Sequence, residues 1–328
     1  MQGRQEHEQR KLTRIAEILQ EAPVYMKQYL YSIHSKSYTT QYEYVRHVLD
    51  FLSFIQKEYK IDVNELNNFK NVKASMITVY IADMKDISNS FKALKLYAIK
   101  SFFDYLLGDD YIDHNPCDRV STPKDNVEHK ITYLTKEEIE IVKYNITNGV
   151  GNCRSIEKQR KWIKRDYALV MLGLSLGLRI SSITEINIED IDLENNEIKI
   201  IEKGNTMRSV TFSDKLKEII VDWMEDREFK LLVANKECNA LFISNQMKRI
   251  STRAIGLLID KYTYNIDKHI TPHKLRSTCA TNVYSQTGDI YLTANVLGHR
   301  NISNTMRYAQ VTDERKQQAA KAMDSILF

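Results

Sequence analysis

The sequence predicts a mainly α-helical protein with one small β-hairpin, organised as two domains. Only 10 glycines and four prolines occur among 328 residues, so residues that break helices are scarce. Apolar residues recur at helical spacing through most of the chain, whereas strict alternation is confined to one pair of short segments. Pro116 and Pro123 lie in a polar stretch without apolar periodicity, which is typical of a linker between domains.

The part before the linker predicts an amphipathic N-terminal extension over residues 1–20 and a helical domain over residues 21–118. Within that domain, three segments have helical spacing: residues 39–59, 74–84 and 88–110. The last segment is predicted to bury one stripe of apolar side chains, formed by Phe91, Leu94, Ala98, Phe102, Tyr105 and Leu106.

Residues 119–132 are the predicted linker, and a second domain follows over residues 133–328, ending in a tail helix. This domain opens with a capping-box pattern, because Thr135 is followed three residues later by Glu138. An apolar helix comes next, and two alternating segments then flank Gly204 and Asn205, which predicts a β-hairpin. Further helices are predicted to open near Thr252, His273, Tyr291 and Ser303.

Composition excludes several classes of protein. The net charge of +4 and pI of about 8.6 permit nucleic-acid binding without indicating it. No run of about 18 apolar residues occurs, and the polar N-terminus lacks the pattern of a secretory signal, so no membrane association is expected. The four cysteines are scattered without a CxxC pair or zinc spacing, which predicts reduced thiols in a cytoplasmic protein, with no disulfide and no structural zinc.

Six residues of the second domain form an ordered set of basic side chains followed by a tyrosine. They stand in the segments LGLRISSITEI, IIEKGN, TPHKLR and VLGHRNISNTMRYAQ. In chain order they are Arg179, Lys203, His273, Arg276, His299 and Tyr308. Taken singly, each has an ordinary structural explanation, such as a helix cap, a solvated turn or a packing tyrosine, and Tyr308 is one of 19 tyrosines. Their joint order favours a shared catalytic role.

This set resembles that of the tyrosine recombinases, the phage-type integrases that break and rejoin DNA. The most specific part is the spacing from His299 through Thr305 to Tyr308. The resemblance covers roughly residues 25–315, and the lysine-bearing helix followed by the NP pair at Asn115 and Pro116 is similar to the core-binding domain of that family. It implies a site-specific recombinase or integrase that acts through a 3′-phosphotyrosyl intermediate, serving integration or transposition of a mobile genetic element in a bacterial cytoplasm.

The residue types suit this chemistry. A phosphodiester under attack gains negative charge, which the forks of Arg179 and Arg276 could stabilise at both non-bridging oxygens without a metal or cofactor. A tyrosine phenol, with an ordinary pKa of about 10, leaves more readily than an alkyl hydroxyl, so a bond from Tyr308 to the DNA would preserve the energy for rejoining. The resemblance assigns protonation of the departing 5′-oxygen to Lys203. It assigns proton transfer or phosphate binding to His273, and a hydrogen bond to a non-bridging oxygen to His299.

One position departs from the family pattern. Family members usually carry an acidic residue three positions after the first arginine, where it supports the active-site arginine and histidine, and this chain has Ser182 there. Glu185 follows on the same predicted helix and is either the replacement or an ordinary surface acid.

The resemblance also implies the architecture and the partners. A helical core-binding domain and an integrase-like catalytic domain would form a clamp around double-stranded DNA that carries specific recombination sites. Self-association into a tetramer on synapsed DNA and an accessory DNA-bending or directionality factor belong to the same implied set. Contacts to DNA are expected from one lysine face and from one helix start, which are Lys92, Lys95, Lys100, Ser251, Thr252 and Arg253. A lysine face of this kind is more often simply solvated.

Two other functions compete with recombination. A type IB topoisomerase-like enzyme would use the same chemistry to relax DNA, and an accessory protein would bind DNA without catalysis. The intact six-residue set argues against the accessory protein. An apolar cluster at Met323, Ile326, Leu327 and Phe328 argues against the topoisomerase if the tail docks in a neighbouring protomer, whereas packing of the tail onto its own domain is equally compatible with the pattern. The sequence leaves open whether the enzyme serves a mobile element or resolves chromosome dimers.

Overall fold

A computed structural model describes residues 2–124, 131–202, 206–299 and 301–309 of the chain. The chain divides into two compact units, Met1–Glu128 and His129–Phe328, and the mainly α fold class is confirmed. Lys203 and the C-terminal tail lie outside the described residues, as does part of the predicted linker, so the domain limits inferred from the sequence stay a prediction. Within the described part of the chain, no helix is both long and apolar enough to cross a bilayer.

The first unit is a set of helices around an aromatic core. Among its described residues the helices are α1 (Gln2–Glu21), α2 (Tyr25–Ser32), α3 (Tyr38–Tyr59), α4 (Ala74–Ala82) and α5 (Asn89–Gly108). The hydroxyls of Ser37 and Ser88 accept the backbone N–H groups of Thr40 and Phe91, which stabilises the first turns of α3 and α5. Helix α3 packs against α5, and the core between the helices contains aromatic rings in edge-to-face contact around Phe102.

The predicted N-terminal helix is present as α1, which packs along α3. Its Ile15 side chain is buried, and Ile18 and Leu19 pack against the core of the same unit. Burial of these apolar side chains therefore holds α1 on the first unit.

Helix α5 buries a wider surface than the single stripe predicted from its sequence. Leu94 is 38% exposed, so its predicted burial is wrong. The physical reason is that α5 packs against both α2 and α3, and this contact covers a neighbouring row of side chains while Leu94 faces solvent. The buried residues of the helix are Leu96, Ala98, Ile99, Phe102, Phe103, Tyr105 and Leu106.

The second unit combines helices with a small antiparallel sheet. Among its described residues the helices are α6 (Lys136–Asn148), α7 (Cys153–Arg160), α8 (Ile163–Leu176), α9 (Ile180–Glu185), α10 (Asp214–Ala234), α11 (Thr252–Tyr262), α12 (Pro272–Thr287), α13 (Ile290–Leu297) and α14 (Ser303–Ala309). The strands are β1 (Ile191–Asp192), β2 (Glu197–Glu202) and β3 (Thr206–Thr211).

The predicted hairpin is confirmed by the pairing of β2 with β3, whose register joins Glu197 to Thr211 and Glu202 to Thr206. The two-residue strand β1 extends this pair to three strands, which the sequence did not predict because so short a segment shows no alternation. The predicted capping box at the start of α6 is also confirmed, since Thr135 and Glu138 each accept the backbone N–H of the other.

Helix α8 is the centre of the second unit, where it packs against α10 and α12. It ends at Gly177, whose φ of +57° places it in the left-handed region that favours glycine. A Cβ atom at this position would lie 2.8 Å from Leu297 Cδ2 and 3.1 Å from Cys279 Sγ. The ends of α8 and α13 therefore approach each other, and α12, so closely that no side chain fits between them.

Gly177→Ala should therefore destabilise the protein. A left-handed conformation costs a residue with a Cβ about 1–2 kcal/mol, and the contact with Leu297 adds to that cost. The measurement is the free energy of unfolding from urea denaturation. The matched control is Gly256→Ala in α11, where an added Cβ meets nothing within 4 Å. The control should gain up to about 1 kcal/mol, because alanine is the better helix former. Equal effects of the two substitutions would contradict the close approach at Gly177.

Candidate active site

One cavity in the second unit brings together five of the six predicted catalytic residues. It has a volume of about 460 Å³, and Leu178, Pro272, Asn304 and Arg307 contribute to its wall. The predicted catalytic residues that line it are Arg179, His273, Arg276, His299 and Tyr308. The sixth, Lys203, lies outside the described residues.

Arg179 stands at the start of α9, two residues after the glycine that ends α8. Its carbonyl accepts the N–H of Ile183 and so begins the next helix, while its side chain is 34% exposed toward the cavity. The Nη1 atom lies 3.2 Å from Oε1 of Glu202, the residue that ends β2. The guanidinium is thus held by one carboxylate and keeps further N–H groups for an anion.

Arg276 lies in the second turn of α12 and is only 2% exposed. Its Nη1 atom donates to the carbonyl oxygen of Gly177 and its Nη2 atom to that of Leu297, both at 2.6 Å. The pKa of Arg276 is lowered to about 10, first by burial and then by the charge of Arg179, whereas Tyr308 and Glu202 oppose the decrease. Arg276 therefore remains charged at neutral pH.

His299 and Tyr308 are joined through Thr305. Gly298, in the left-handed region with a φ of +65°, ends α13 and turns the chain into His299. The Nδ1 atom of His299 lies 2.8 Å from Oγ1 of Thr305, which is fully buried in α14. If the threonine hydroxyl donates this bond, Nε2 of His299 carries the proton and can donate to a ligand. Thr305 and Tyr308 are three residues apart, so they share a face of α14.

Both histidines of the cavity have a lowered pKa. For His299 the pKa falls to about 4, first because of burial and then because of the charges of Arg276 and Arg179. For His273, in the first turn of α12, partial burial and the charge of Arg276 act in the same direction. Both imidazoles are therefore neutral at physiological pH, and among the described residues the positive charge of the site comes from its arginines.

Three further residues belong to the site and were not singled out from the sequence. Glu202 pairs with Arg179, and its Oε1 atom also lies 3.4 Å from Nη2 of Arg208. Arg208 Nη1 donates to the carbonyl of Asn295 at 2.8 Å, near the end of α13. Arg307 is exposed and lines the cavity beside Tyr308. The only sequence signal for Glu202 and Arg307 was that they directly precede Lys203 and Tyr308, and Arg208 had no such signal.

The carboxylate partner of Arg179 is Glu202 and not Glu185, which the sequence offered as the replacement acid. Glu185 Oε2 is buried and has no hydrogen-bond partner among the described residues. Ser182, at the departing position, is buried and donates its hydroxyl to the carbonyl of Ile201 at 2.9 Å. Position 182 therefore faces the end of β2 next to Glu202.

The predicted DNA-contact residues lie in two places. Ser251, Thr252 and Arg253 are exposed at the start of α11, where Ser251 caps the helix by accepting the N–H of Ala254. In the first unit, Lys92 is partly exposed on α5. DNA contact by these residues stays a prediction.

Two lysines of the predicted face form ion pairs with carboxylates of the first unit. Lys95 is 13% exposed, and its Nζ atom lies 3.1 Å from Asp50 Oδ2 and 3.3 Å from the Tyr80 hydroxyl. Lys100 lies 2.6 Å from Asp118 at the surface. A phosphate would therefore compete with an internal carboxylate at each of the two positions.

The cavity is chemically matched to a phosphate group. Its guanidinium and imidazole N–H groups are donors, and arginine forks match pairs of phosphate oxygens. In the part of the chain that the structure describes, no group of three His, Cys, Asp or Glu residues could hold a metal ion.

Comparison with known proteins decides the family. The sequence model of the phage integrase family matches residues 150–315, half of the chain. The chain belongs to this family of tyrosine recombinases. It is 31% identical to tyrosine recombinase XerC of Psychromonas ingrahamii over 222 residues, which cover 67% of this chain and 69% of the relative. It is 28% identical to tyrosine recombinase XerC of Caldanaerobacter subterraneus over 312 residues, which cover 89% and 83% of the two chains.

Solved structures with the same fold include two recombinases bound to DNA. XerH site-specific recombinase in a post-cleavage complex with palindromic difH substrate aligns with a TM-score of 0.70 and 20% identity, covering 96% of this tyrosine recombinase and 89% of XerH. A lambda integrase dimer bound to a COC′ core site aligns with a TM-score of 0.62 and 14% identity, covering 85% and 94%. At these identities the likeness establishes the fold.

The lowered pKa of His299 predicts a loss of stability on acidification. The folded protein has a pKa of about 4 at this residue, against 6.5 for an unperturbed histidine. As the pH falls below about 6.5, the unfolded chain therefore binds the proton first, and the free energy of unfolding decreases until about pH 4. Urea denaturation of the DNA-free protein and of His299→Asn at pH 7 and at about pH 5 should show the larger decrease in the wild type. Equal decreases would mean that His299 titrates normally in the folded protein.

Proposed function

We propose that this tyrosine recombinase cleaves and rejoins duplex DNA at specific sites through a 3′-phosphotyrosyl intermediate, with Tyr308 as the nucleophile. The observation that carries the proposal is one cavity of the described residues that Tyr308 lines together with three arginines and two histidines. A hydroxyl nucleophile beside preorganised cationic donors is the arrangement that phosphodiester transfer requires.

The reaction exchanges one ester for another. The Tyr308 oxygen loses its proton and bonds to the phosphorus, and the bond from phosphorus to the 5′-oxygen breaks. The 5′-oxygen takes up a proton, which Lys203 supplies, and leaves as a hydroxyl. Attack by a 5′-hydroxyl from another strand reverses these steps and releases Tyr308. Because one phosphodiester replaces another, the reaction needs no nucleotide cofactor.

The site residues divide the remaining work. Arg179 and Arg276 bind the two non-bridging oxygens, where negative charge increases in the transition state. His299, with Nδ1 directed to Thr305, donates from Nε2 to a non-bridging oxygen. His273, a neutral imidazole at the exposed side of the cavity, accepts the proton of Tyr308.

We propose that the DNA backbone is held at the start of α11 and along α5. The N-terminus of α11 carries a partial positive charge, and the exposed Arg253 adds a full charge beside it. Lys92, Lys95 and Lys100 supply the contacts of the first unit, with the last two exchanging Asp50 and Asp118 for phosphates. Neutralisation of phosphates by these side chains makes binding steeply dependent on salt.

The proposal includes the cellular location, the assembly and the biological role of the enzyme. The enzyme acts in the bacterial cytoplasm as a tetramer on two synapsed sites, assisted by a DNA-bending or directionality factor, and serves as the integrase of a mobile element. Transfer or excision genes beside its own gene would support the mobile-element assignment. Recombination between sites on the host chromosome that resolves its dimers would instead favour a resolvase, and relaxation of supercoils by a monomer would favour a topoisomerase.

Tyr308→Phe should abolish covalent attachment to DNA while binding is kept, because the substitution removes only the hydroxyl. The measurement is adduct formation on a nicked suicide substrate, resolved on a denaturing gel, together with a gel shift for binding. Tyr264→Phe, at a residue that is 66% exposed and outside the cavity, is the matched control and should form the adduct normally. A persistent adduct with Tyr308→Phe would identify another nucleophile.

Arg179→Ala should slow cleavage by about 10²–10³ at saturating DNA, because one preorganised donor to the developing charge is lost. Single-turnover kinetics measure this rate.

Arg276→Ala should slow cleavage comparably and also lower stability, because two helix-terminal carbonyls lose their donor. Arg253→Ala should weaken binding and leave the saturated rate unchanged. A rate for Arg179→Ala close to that of the wild type would remove Arg179 from phosphate binding.

A further inference from the structure

The carboxylate of Glu202 lies between two arginines at the edge of the cavity. Its Oε1 atom is 3.2 Å from Arg179 Nη1 and 3.4 Å from Arg208 Nη2, and the side chain is 13% exposed. Among the described residues, no other carboxylate forms an ion pair with either arginine. Glu202 is therefore the charge partner of an arginine that must bind phosphate.

The backbone around Glu202 leaves room for this carboxylate. Gly298 adopts a φ of +65°, and a Cβ atom there would overlap the carboxylate, with Oε2 only 2.8 Å away. Arg208, the second partner of Glu202, also donates to the carbonyl of Asn295 in α13. One carboxylate thus connects Arg179 with the strand pair and with the turn that precedes His299.

Position 182 faces the backbone at the end of the same strand. Ser182 Oγ donates to the carbonyl of Ile201, the residue before Glu202, and is buried there. A longer acidic side chain at position 182 would therefore reach the region that the Glu202 carboxylate occupies. The acid at position 202 therefore occupies the space that an acid at position 182 would need.

We propose that Glu202 is the acidic positioning residue of this active site and replaces, from strand β2, the carboxylate that Ser182 lacks. It holds the guanidinium of Arg179 in the orientation that a non-bridging phosphate oxygen requires. It also offsets the repulsion among Arg179, Arg208 and Arg276, whose charges are close enough to influence one another. The inference rests on the proposed function, because it assigns a task within the same reaction.

Glu202→Gln tests the charge without changing the shape of the side chain. We expect the single-turnover rate of adduct formation on the nicked substrate to fall by about 10–100-fold, as for other residues that orient an active-site group. DNA affinity and the thermal unfolding midpoint should change little, because the amide keeps the volume. The control is Glu185→Gln, which removes a nearby carboxylate that has no described partner on Oε2 and should cleave like the wild type.

Relocation of the acid separates positioning from a purely structural role. Glu202→Ala should be slow, and addition of Ser182→Glu in that background should restore at least about a tenfold increase in rate, because the new carboxylate enters the vacated space. A double variant that folds but is as slow as Glu202→Ala would overturn the proposal. If the double variant does not fold, Glu202→Gln decides the question alone.

The outcomes for Glu202→Gln are distinct from those for the proposed function. Cleavage by Glu202→Gln at or above the wild-type rate would show that Glu202 only competes with phosphate for Arg179, and would overturn this inference while the proposed function stands. A wild-type protein that binds DNA but forms no adduct would overturn the proposed function, and this inference with it. A slow Glu202→Gln beside a normal wild type and a normal Glu185→Gln supports both.

Discussion

The buried guanidinium of Arg276 joins the two helix ends on which the active site depends. It donates to the carbonyls of Gly177 and Leu297, at the C-termini of α8 and α13, where carbonyl groups have no partner within the helix and the helix dipole is negative. These bonds offset the cost of burying a charge, which is otherwise several kcal/mol. Arg179 follows Gly177 by two residues, and His299 follows Leu297 by two residues. One side chain therefore sets the positions from which both reach the cavity.

The same arrangement places Arg276 near two further positive charges, those of Arg179 and Arg208. Burial lowers the pKa of Arg276, and the positive charges of Arg179 and Arg208 lower it further. The two histidines remain neutral at physiological pH and do not increase the charge. A phosphate in the cavity would relieve this repulsion. The folded protein therefore holds its cationic donors in place before a phosphate binds. Glu202 is the described carboxylate that moderates the charge in the meantime.

Local structure could be predicted where the residues that stabilise it lie within one short segment of the chain. The capping box at Thr135 and Glu138 and the hairpin were predictable because each is a short-range pattern. The burial of α5 was less predictable, since a helix with apolar residues on several sides can bury more than one face. Only contact with α2 and α3 selects the face, and Leu94 was misassigned for that reason. Lys95 is similar, because its partner Asp50 lies on α3, 45 residues away in the chain.

The sequence by itself determined the family and predicted the reacting residues, because an ordered set of basic side chains and a tyrosine resembles that of the family. The spacing of six and then three residues from His299 through Thr305 to Tyr308 is local, so it was recognised in the sequence. Only the tertiary structure decided which carboxylate supports Arg179. Glu202 is 23 residues from Arg179 in the chain, and it meets that arginine because β2 packs beside α9. An acid on the same helix as the arginine can be found from helical spacing, whereas an acid on a neighbouring strand is brought there by packing, which no local pattern records.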